Sequence, residues 1–233
     1  MMLYSIDALS QASSQPTQPA PLIVKSCSDF EPSGTGDNKE WNKAEWNDLI
    51  QLDTAGKTYA TKFKILYSPK GVYVLFKGDD DKISTKYDKD FDDLYMGDVF
   101  EVFFHTDPKT PIYFEYEVNQ LNKELVLLIP NLNGRAYGWL PWRYEKERSV
   151  KKMVNVVGGK SEMGAAITSW TAELFFPYEL LRPLGNNPPK SGTTWNANFY
   201  RLDYDTGKAR RFAWSPVEKH FHEPAKFGAI RFE

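Results

Sequence analysis

Glu101 is the only charged side chain between Val99 and Phe104 in the run DVFEVFF, residues 98–104. In an extended strand, side chains alternate between faces. Phe100, Val102 and Phe104 then share one face, and Val99, Glu101, Phe103 and His105 share the other. An acid on a half-apolar face needs either a buried partner or a ligand. Arg201, in NFYRLD, is the candidate partner if that strand also enters the core. If it is not the partner, Glu101 faces a binding site and accepts hydrogen bonds from hydroxyl groups. The run IYFEYEVN, residues 112–119, adds Glu115 and Glu117 on one common face.

Paired carboxylates raise a glycoside hydrolase reading, with Glu101 and Glu117 as acid and base. That chemistry needs two carboxyls about 5 to 10 Å apart across a cleft. A chain with 31 acidic residues meets that spacing often by accident. GxSxG, HExxH, GxGxxG and P-loop patterns are absent, so no catalytic motif supports turnover. His220 and His222 would project to one side of an extended segment and could hold a metal, or form a plain polar loop pair. The acidic clusters Asp79-Asp80-Asp81 and Asp88, Asp90, Asp92 and Asp93 could bind a structural calcium or stand as solvated loops.

Composition narrows the partners. Formal charge is −2 with no basic block, which argues against nucleic acid and anionic membranes. No run reaches the length of a membrane span. Aromatic residues make up 15% of the chain, more than a core of this size needs, so some belong on a binding surface. The single cysteine, Cys27, excludes an intrachain disulfide and a thiolate metal site. The N-terminus lacks the basic start and apolar middle of a signal peptide.

The elements that must position these residues read as strands. Runs at 60–67, 71–78, 98–105, 112–119, 123–129, 151–157, 170–176, 194–202, 209–214 and 227–232 alternate with turn sequences such as SPKG, NLNG and YDTG. One short helix is expected in PYELLRPL, between Pro177 and Pro183. The pattern predicts an all-β, antiparallel β-sandwich as a single domain over residues 22–233, behind a flexible lead-in at 1–21. Trp170, Trp195 and Trp214 are expected in the core, and Asn196 and Asn198 on a polar site or an exposed face. The segment YGWLPWRYE holds Trp139 and Trp142 around Pro141, and it either extends a groove or caps a sandwich edge, the cap being favoured. Gly228 is read as permitting a bend or a close backbone approach.

Several dispersed pieces occur in a telling order: GDNKEW, GVYVLFKGDD, the DVFEVF run, YFEYEVN, WTAELFFP, TTWNANFYRLD, FAWSP and FHEPAKFGAIRF. Through them, from about residue 36 onward, the chain resembles the family 9 carbohydrate-binding modules, and more closely their family-9-like bacterial relatives. That resemblance implies a jelly-roll or immunoglobulin-like sandwich that grips a glycan end between two tryptophans. The first tryptophan falls on Tyr95 and the second on Phe221. The family's D-x-x-E glutamate matches Glu101, and its R-x-N motif meets Glu117 and Asn119, keeping the asparagine but not the arginine. Neither stacking position is Trp and the charge at 117 is reversed, so cellulose- or xylan-end specificity does not transfer. The expected function is non-catalytic recognition of an oligosaccharide or polysaccharide in its breakdown or uptake. Hydrolysis, or a protein-interaction role for a fold that has lost its sugar site, are the alternatives. The resemblance also implies a periplasmic or secreted location.

Overall fold

The computed structural model describes residues 20–53 and 56–233. The expected lead-in lies outside the described residues except for Ala20 and Pro21. Fifteen strands form among the described residues: β1 (Leu22–Ser26), β2 (Asn47–Asp48), β3 (Ile50–Gln51), β4 (Thr61–Tyr67), β5 (Gly71–Asp79), β6 (Val99–His105), β7 (Ile112–Val118), β8 (Glu124–Leu132), β9 (Arg135–Ala136), β10 (Leu140–Pro141), β11 (Lys151–Val157), β12 (Ser169–Pro177), β13 (Thr194–Asp203), β14 (Arg210–Ala213) and β15 (Gly228–Phe232).

Two layers result. One runs β10-β8-β7-β6-β13-β15, with β14 beside β13, and the other runs β4-β5-β12-β11. Strand β1 joins them: Leu22 to Val24 pair with β15, and Lys25 and Ser26 pair with β4. The β4–β5 hairpin forms where SPKG places it, closed by Ser68 N–H donating to the Gly71 carbonyl at 2.8 Å. The remaining predicted strands also form, most with ends moved by a residue or so, and β8 runs three residues beyond its predicted end. The expected helix does not form. Its residues make separate turns through Leu180 N–H to Pro177 and Leu181 N–H to Tyr178. Tyr178, Leu180, Leu181 and Leu184 are all buried, and packing on the sandwich dictates that path over a regular helix.

The core lies between the layers. Phe100, Val102 and Phe104 face inward with Phe63, Phe76, Trp170, Trp195 and Phe199. Phe100 stacks on Trp170 with ring centres 3.7 Å apart, and Phe63 on Phe199 at 3.8 Å. Trp170 and Trp195 are core residues as expected, whereas Trp214 is half-buried at its edge. A Cβ on Gly228 would lie 2.4 Å from the Trp214 ring, so the close approach expected there is real.

Each sheet also has a covered outer face. Segment 28–44 lies over the β4-β5-β12 layer, its Trp41 clustered with Leu66, Tyr73 and Phe175 of the sheet. Glu173 anchors that segment, accepting from Ser33 N–H at 2.9 Å, Gly34 N–H at 2.8 Å and the Trp41 indole N–H at 2.7 Å. The opposite sheet carries Val99, Phe103, Tyr113, Leu127, Tyr200 and Leu202 outward, covered in part by Tyr95, Phe221 and Phe227 from loops.

Candidate functional site

The alternation read from the sequence at Glu101 holds. Val99 and Phe103 join the outer cluster, and Glu101 stands between them. Arg201 is not its partner. In the β13–β6 register Tyr200 is opposite Glu101, and Arg201 is opposite the inward-facing Phe100. Its guanidinium is buried and bonds to Asp203 at 2.8 Å, Asp80 at 3.1 Å, Thr61 at 3.0 Å and the Asp79 carbonyl at 2.6 Å. Side-chain alternation on β13 decides this: residues 200 and 201 cannot share a face.

Glu101 is directly opposite Glu117 on β7, and Glu115 lies two pairs along on the same face, opposite Phe103. All three carboxyls are buried. Both Glu117 oxygens and Glu115 Oε2 have no hydrogen-bond partner. Burial, then the Glu115 charge, holds Glu101 well above the usual carboxylate range. Glu117 is raised well above it too, by burial and then by Glu101 and Glu115. Burial pushes Glu115 up to about 8. Like charges on facing positions repel, and little solvent reaches this floor to screen them.

These carboxyls form the floor of a cavity of about 280 Å³. Tyr95, Trp139 and Phe221 line it, along with Leu127 and Leu202. Tyr95 is half-buried in the 3₁₀ turn Leu94–Met96, whose backbone is fixed by the Tyr204 hydroxyl donating to the Tyr95 carbonyl at 2.9 Å. Phe221 is only 8% exposed, because its ring stacks on Tyr200 at 4.0 Å. Asn198 secures that loop: its amide accepts from Ser215 N–H at 2.9 Å and donates to the Ser215 carbonyl at 2.8 Å. Trp139 is 56% exposed and meets Tyr95 edge-on at 6.4 Å. The YGWLPWR segment therefore divides. Trp142 turns inward, its indole donating to the Leu180 carbonyl at 3.0 Å, while β10 pairs with β8 and leaves Trp139 at the mouth. It is cap and groove wall at once.

Cations sit only at the periphery of the cavity. Arg211 is committed to Asp53 through N–H at 2.7 Å and Nη2 at 3.0 Å, and to the Lys219 carbonyl at 3.0 Å. Lys219 and His220 are exposed. His222 packs nearer the floor, with Nδ1 2.7 Å from the Tyr113 hydroxyl and 3.8 Å from Glu115. Burial, then His220, lowers its pKa to about 4, so it is neutral at pH 7.

Of the residues singled out in the sequence, Tyr95, Glu101, Glu117 and Phe221 line this one cavity. Asn119 does not. Its amide donates to the Tyr87 carbonyl at 2.8 Å and accepts from Leu121 and Lys123 N–H, which closes the β7–β8 turn. Trp139 was visible only as one ring of a segment read as groove or cap, and Glu115 through its spacing from Glu117. Arg211, Leu127 and Leu202 reach the cavity only through sheet register, which no local motif announces.

The acidic runs do not act as clusters. Asp81 pairs with Lys57 and Asp90 with Lys152. The group that converges takes only Asp80 from those runs: among the described residues, Asp80, Asp98 and Asp205 bring ligand atoms within 4.8 Å of one another. Asp98 accepts from Ser84 N–H at 2.7 Å, Tyr204 N–H at 2.6 Å and the Gln120 amide at 3.0 Å. Burial first, then Asp80, raises Asp98 well above its ordinary value, and burial raises Asp80 to about 6. The two histidines at 220 and 222 do not join a three-ligand group among the described residues.

Residues 38–232 match the model of carbohydrate-binding family 9. A search of curated proteins finds no match. Among solved structures, a candidate carbohydrate-binding protein from Bacteroides uniformis ATCC 8492 superposes with a TM-score of 0.74 at 19% identity, covering 91% of this chain and 99% of that one. A family 9 module from Caldicellulosiruptor kristjanssonii in complex with glucose superposes at 0.65 and 17% identity, covering 92% and 96%. A family 9 module from the same organism in complex with cellotriose gives 0.65 and 17%, covering 92% and 94%. At these identities the likeness establishes the fold, which is the β-sandwich expected from the strand pattern.

Proposed function

This chain belongs to carbohydrate-binding family 9, and from that premise we propose that its cavity recognises a glycan, or the end of one, without altering it chemically. The observation that carries the reading is the contrast between two outer faces of one sandwich. Glu173, on one sheet, has its oxygens engaged by N–H donors of its own chain. Glu117, on the other, has none. A buried carboxyl with unused hydrogen-bonding capacity is costly to fold, and its presence under a ring-lined opening fits a ligand that completes it. Sugar hydroxyls can do so, while the apolar C–H faces of a sugar ring lie against Tyr95, Trp139 and Phe221. The roles of Tyr95, Glu101, Glu117 and Phe221 are part of this proposal. Asn119 acts through the turn that it closes.

Stacking at ~1–2 kcal/mol per ring and net hydrogen bonds at ~0.5–1.5 kcal/mol each, less the cost of immobilisation, give roughly micromolar to millimolar affinity. The non-catalytic part of the reading rests on geometry. Glu101 and Glu117 rise side by side from one sheet floor, whereas glycoside hydrolysis needs two carboxyls flanking the scissile bond. Titration calorimetry with neutral oligosaccharides, cellotriose among them, is the test, on the native chain and on Tyr95→Ala and Trp139→Ala. Binding that both substitutions weaken, with no release of reducing sugar, is expected. No heat from any glycan would overturn the reading.

We further propose that Asp80, Asp98 and Asp205 can hold a structural calcium. Four carboxylates, Asp80, Asp98, Asp203 and Asp205, meet only two guanidinium groups, Arg201 and Arg210. The buried Gln120 Oε1 beside them has no partner. Oxygen donors and a negative surplus suit a hard divalent cation. Calcium is expected to raise Tm over a chelator control in the native chain but not in Asp98→Asn. Equal melting with and without calcium would remove the proposal.

A further inference from the structure

We propose that the cavity prefers a glycan whose bound ring carries a free primary amine, an unacetylated hexosamine, with its ammonium group among Glu101, Glu115 and Glu117. The inference rests on the carbohydrate reading and specifies the ligand of that same site.

A site built for a neutral sugar offers its hydroxyls both donors and acceptors, because each hydroxyl is both. The floor of this cavity is made of acids. Three carboxyls converge there through the β6–β7 register, and three of their oxygens are buried without a partner. Burial keeps protons on this floor at pH 7, and no buried cation stands by to displace them. Arg211 is held by Asp53, and the Nδ1 of neutral His222 is taken up by Tyr113. Lys219 is exposed at the rim.

An ammonium group on the ligand takes the place of a floor proton, which leaves to solvent, and brings one compact positive charge and three donors to the carboxylate so formed. The aromatic lining adds to the match, since ring faces attract cations that have left water. A ring-borne amine is served by two carboxyls, leaving the third to accept from the neighbouring hydroxyl. A bound divalent ion fits less well. It needs three ligand atoms drawn together, and among the described residues only the aspartate group 80, 98 and 205 achieves that. Acetylation removes both the charge and two of the three donors, so the distinction is between the free amine and the N-acetyl form.

The test compares cellotriose, its fully deacetylated amino counterpart and the N-acetylated trimer by titration calorimetry at pH 7, with cyclohexylamine as an ammonium without sugar hydroxyls. The expected result is about tenfold tighter binding of the amino trimer than of cellotriose, a gain absent from the N-acetyl trimer and reduced by added salt. In Glu117→Gln, and separately in Glu115→Gln, the ratio of amino-trimer to cellotriose affinity falls toward unity, and a cooperative thermal unfolding transition shows that the variants fold. Equal affinity for the amino and neutral trimers would overturn this inference and leave the carbohydrate reading standing. Cyclohexylamine binding as tightly as the amino trimer would overturn it as well, since the site would then read the charge alone. Silence from every glycan would remove the carbohydrate reading, and this inference with it.

Discussion

Stability should fall as pH rises from 6.5 to 8, because the glutamate floor must lose protons that the folded chain prefers to keep. A carboxyl whose folded pKa lies above its unfolded value binds more protons folded than unfolded, so its stability contribution is lost as pH climbs through the folded pKa. Glu115 runs from an ordinary 4.5 to about 8. Glu101, Glu117 and Asp98, also raised, act in the same direction. His222 acts oppositely: its pKa is lowered from 6.5 to about 4, so it adds stability as pH rises through that interval and is spent above 6.5. Asp80, raised to about 6, is spent there too. Above pH 6.5 the glutamates therefore act without opposition from His222. For Glu115 alone, about 1.5 pH units at about 1.4 kcal/mol per proton and unit gives on the order of 2 kcal/mol. In a chain of this size that is a fall in Tm of about 4–8 °C.

Urea unfolding at half-unit steps of pH gives the slope directly, and the slope counts protons. The native chain should lose stability with a slope of about one proton or more across the interval. Glu115→Gln with Glu117→Gln keeps the shape, removes two titrating groups, and should flatten the slope while raising stability at pH 8. Constant or rising native stability between pH 6.5 and 8, or an unchanged slope in the double variant, would refute the reasoning.

Three other substitutions test the frame that holds the site. Arg201→Met strands Asp80 and Asp203 between the sheets and should cost about 3–5 kcal/mol in urea unfolding. Glu173→Gln weakens the charged anchor of segment 28–44 and should cost about 1–2 kcal/mol, with faster amide exchange at Ser33 and Gly34 and unchanged exchange in β6 and β7. Gly228→Ala drives a methyl into Trp214 and should lower stability by about 1–3 kcal/mol, read as a shift of the urea midpoint.

Much of the fold follows from local pattern. Period-two alternation and turn residues locate the long strands, because each strand buries one face and every turn needs its own backbone chemistry. That same alternation separates Glu101 from Phe100 and Phe104 before any contact is known. It fails at residues 177–184, where proline at both ends and a leucine pair suggest a helix but burial of Tyr178, Leu180 and Leu181 dictates separate turns. Four short strands, β2, β3, β9 and β10, are too brief to carry a period.

The site divides in the same way. Tyr95, Glu101, Glu117 and Phe221 were legible as residues, through their types and the ordered pieces around them. Their meeting at one cavity was not, since it depends on β6 lying between β7 and β13 and on Tyr200 receiving the Phe221 ring. Asn119 and Arg201 show the limit most plainly. Each has the chemistry of a site residue, yet bonds to its own chain's loops engage the amide of one, and strand parity turns the other into the core. The aspartate group at 80, 98 and 205 is likewise assembled only in three dimensions: it takes Asp80 from the run at 79–81, whose neighbour Asp81 pairs with a lysine instead. Sequence determines which side chains can act and which face of a strand they take, because those follow from chemistry and a two-residue period. Tertiary structure alone decides which of them meet and which keep unused bonding capacity, because register and loop packing join positions that no local pattern connects.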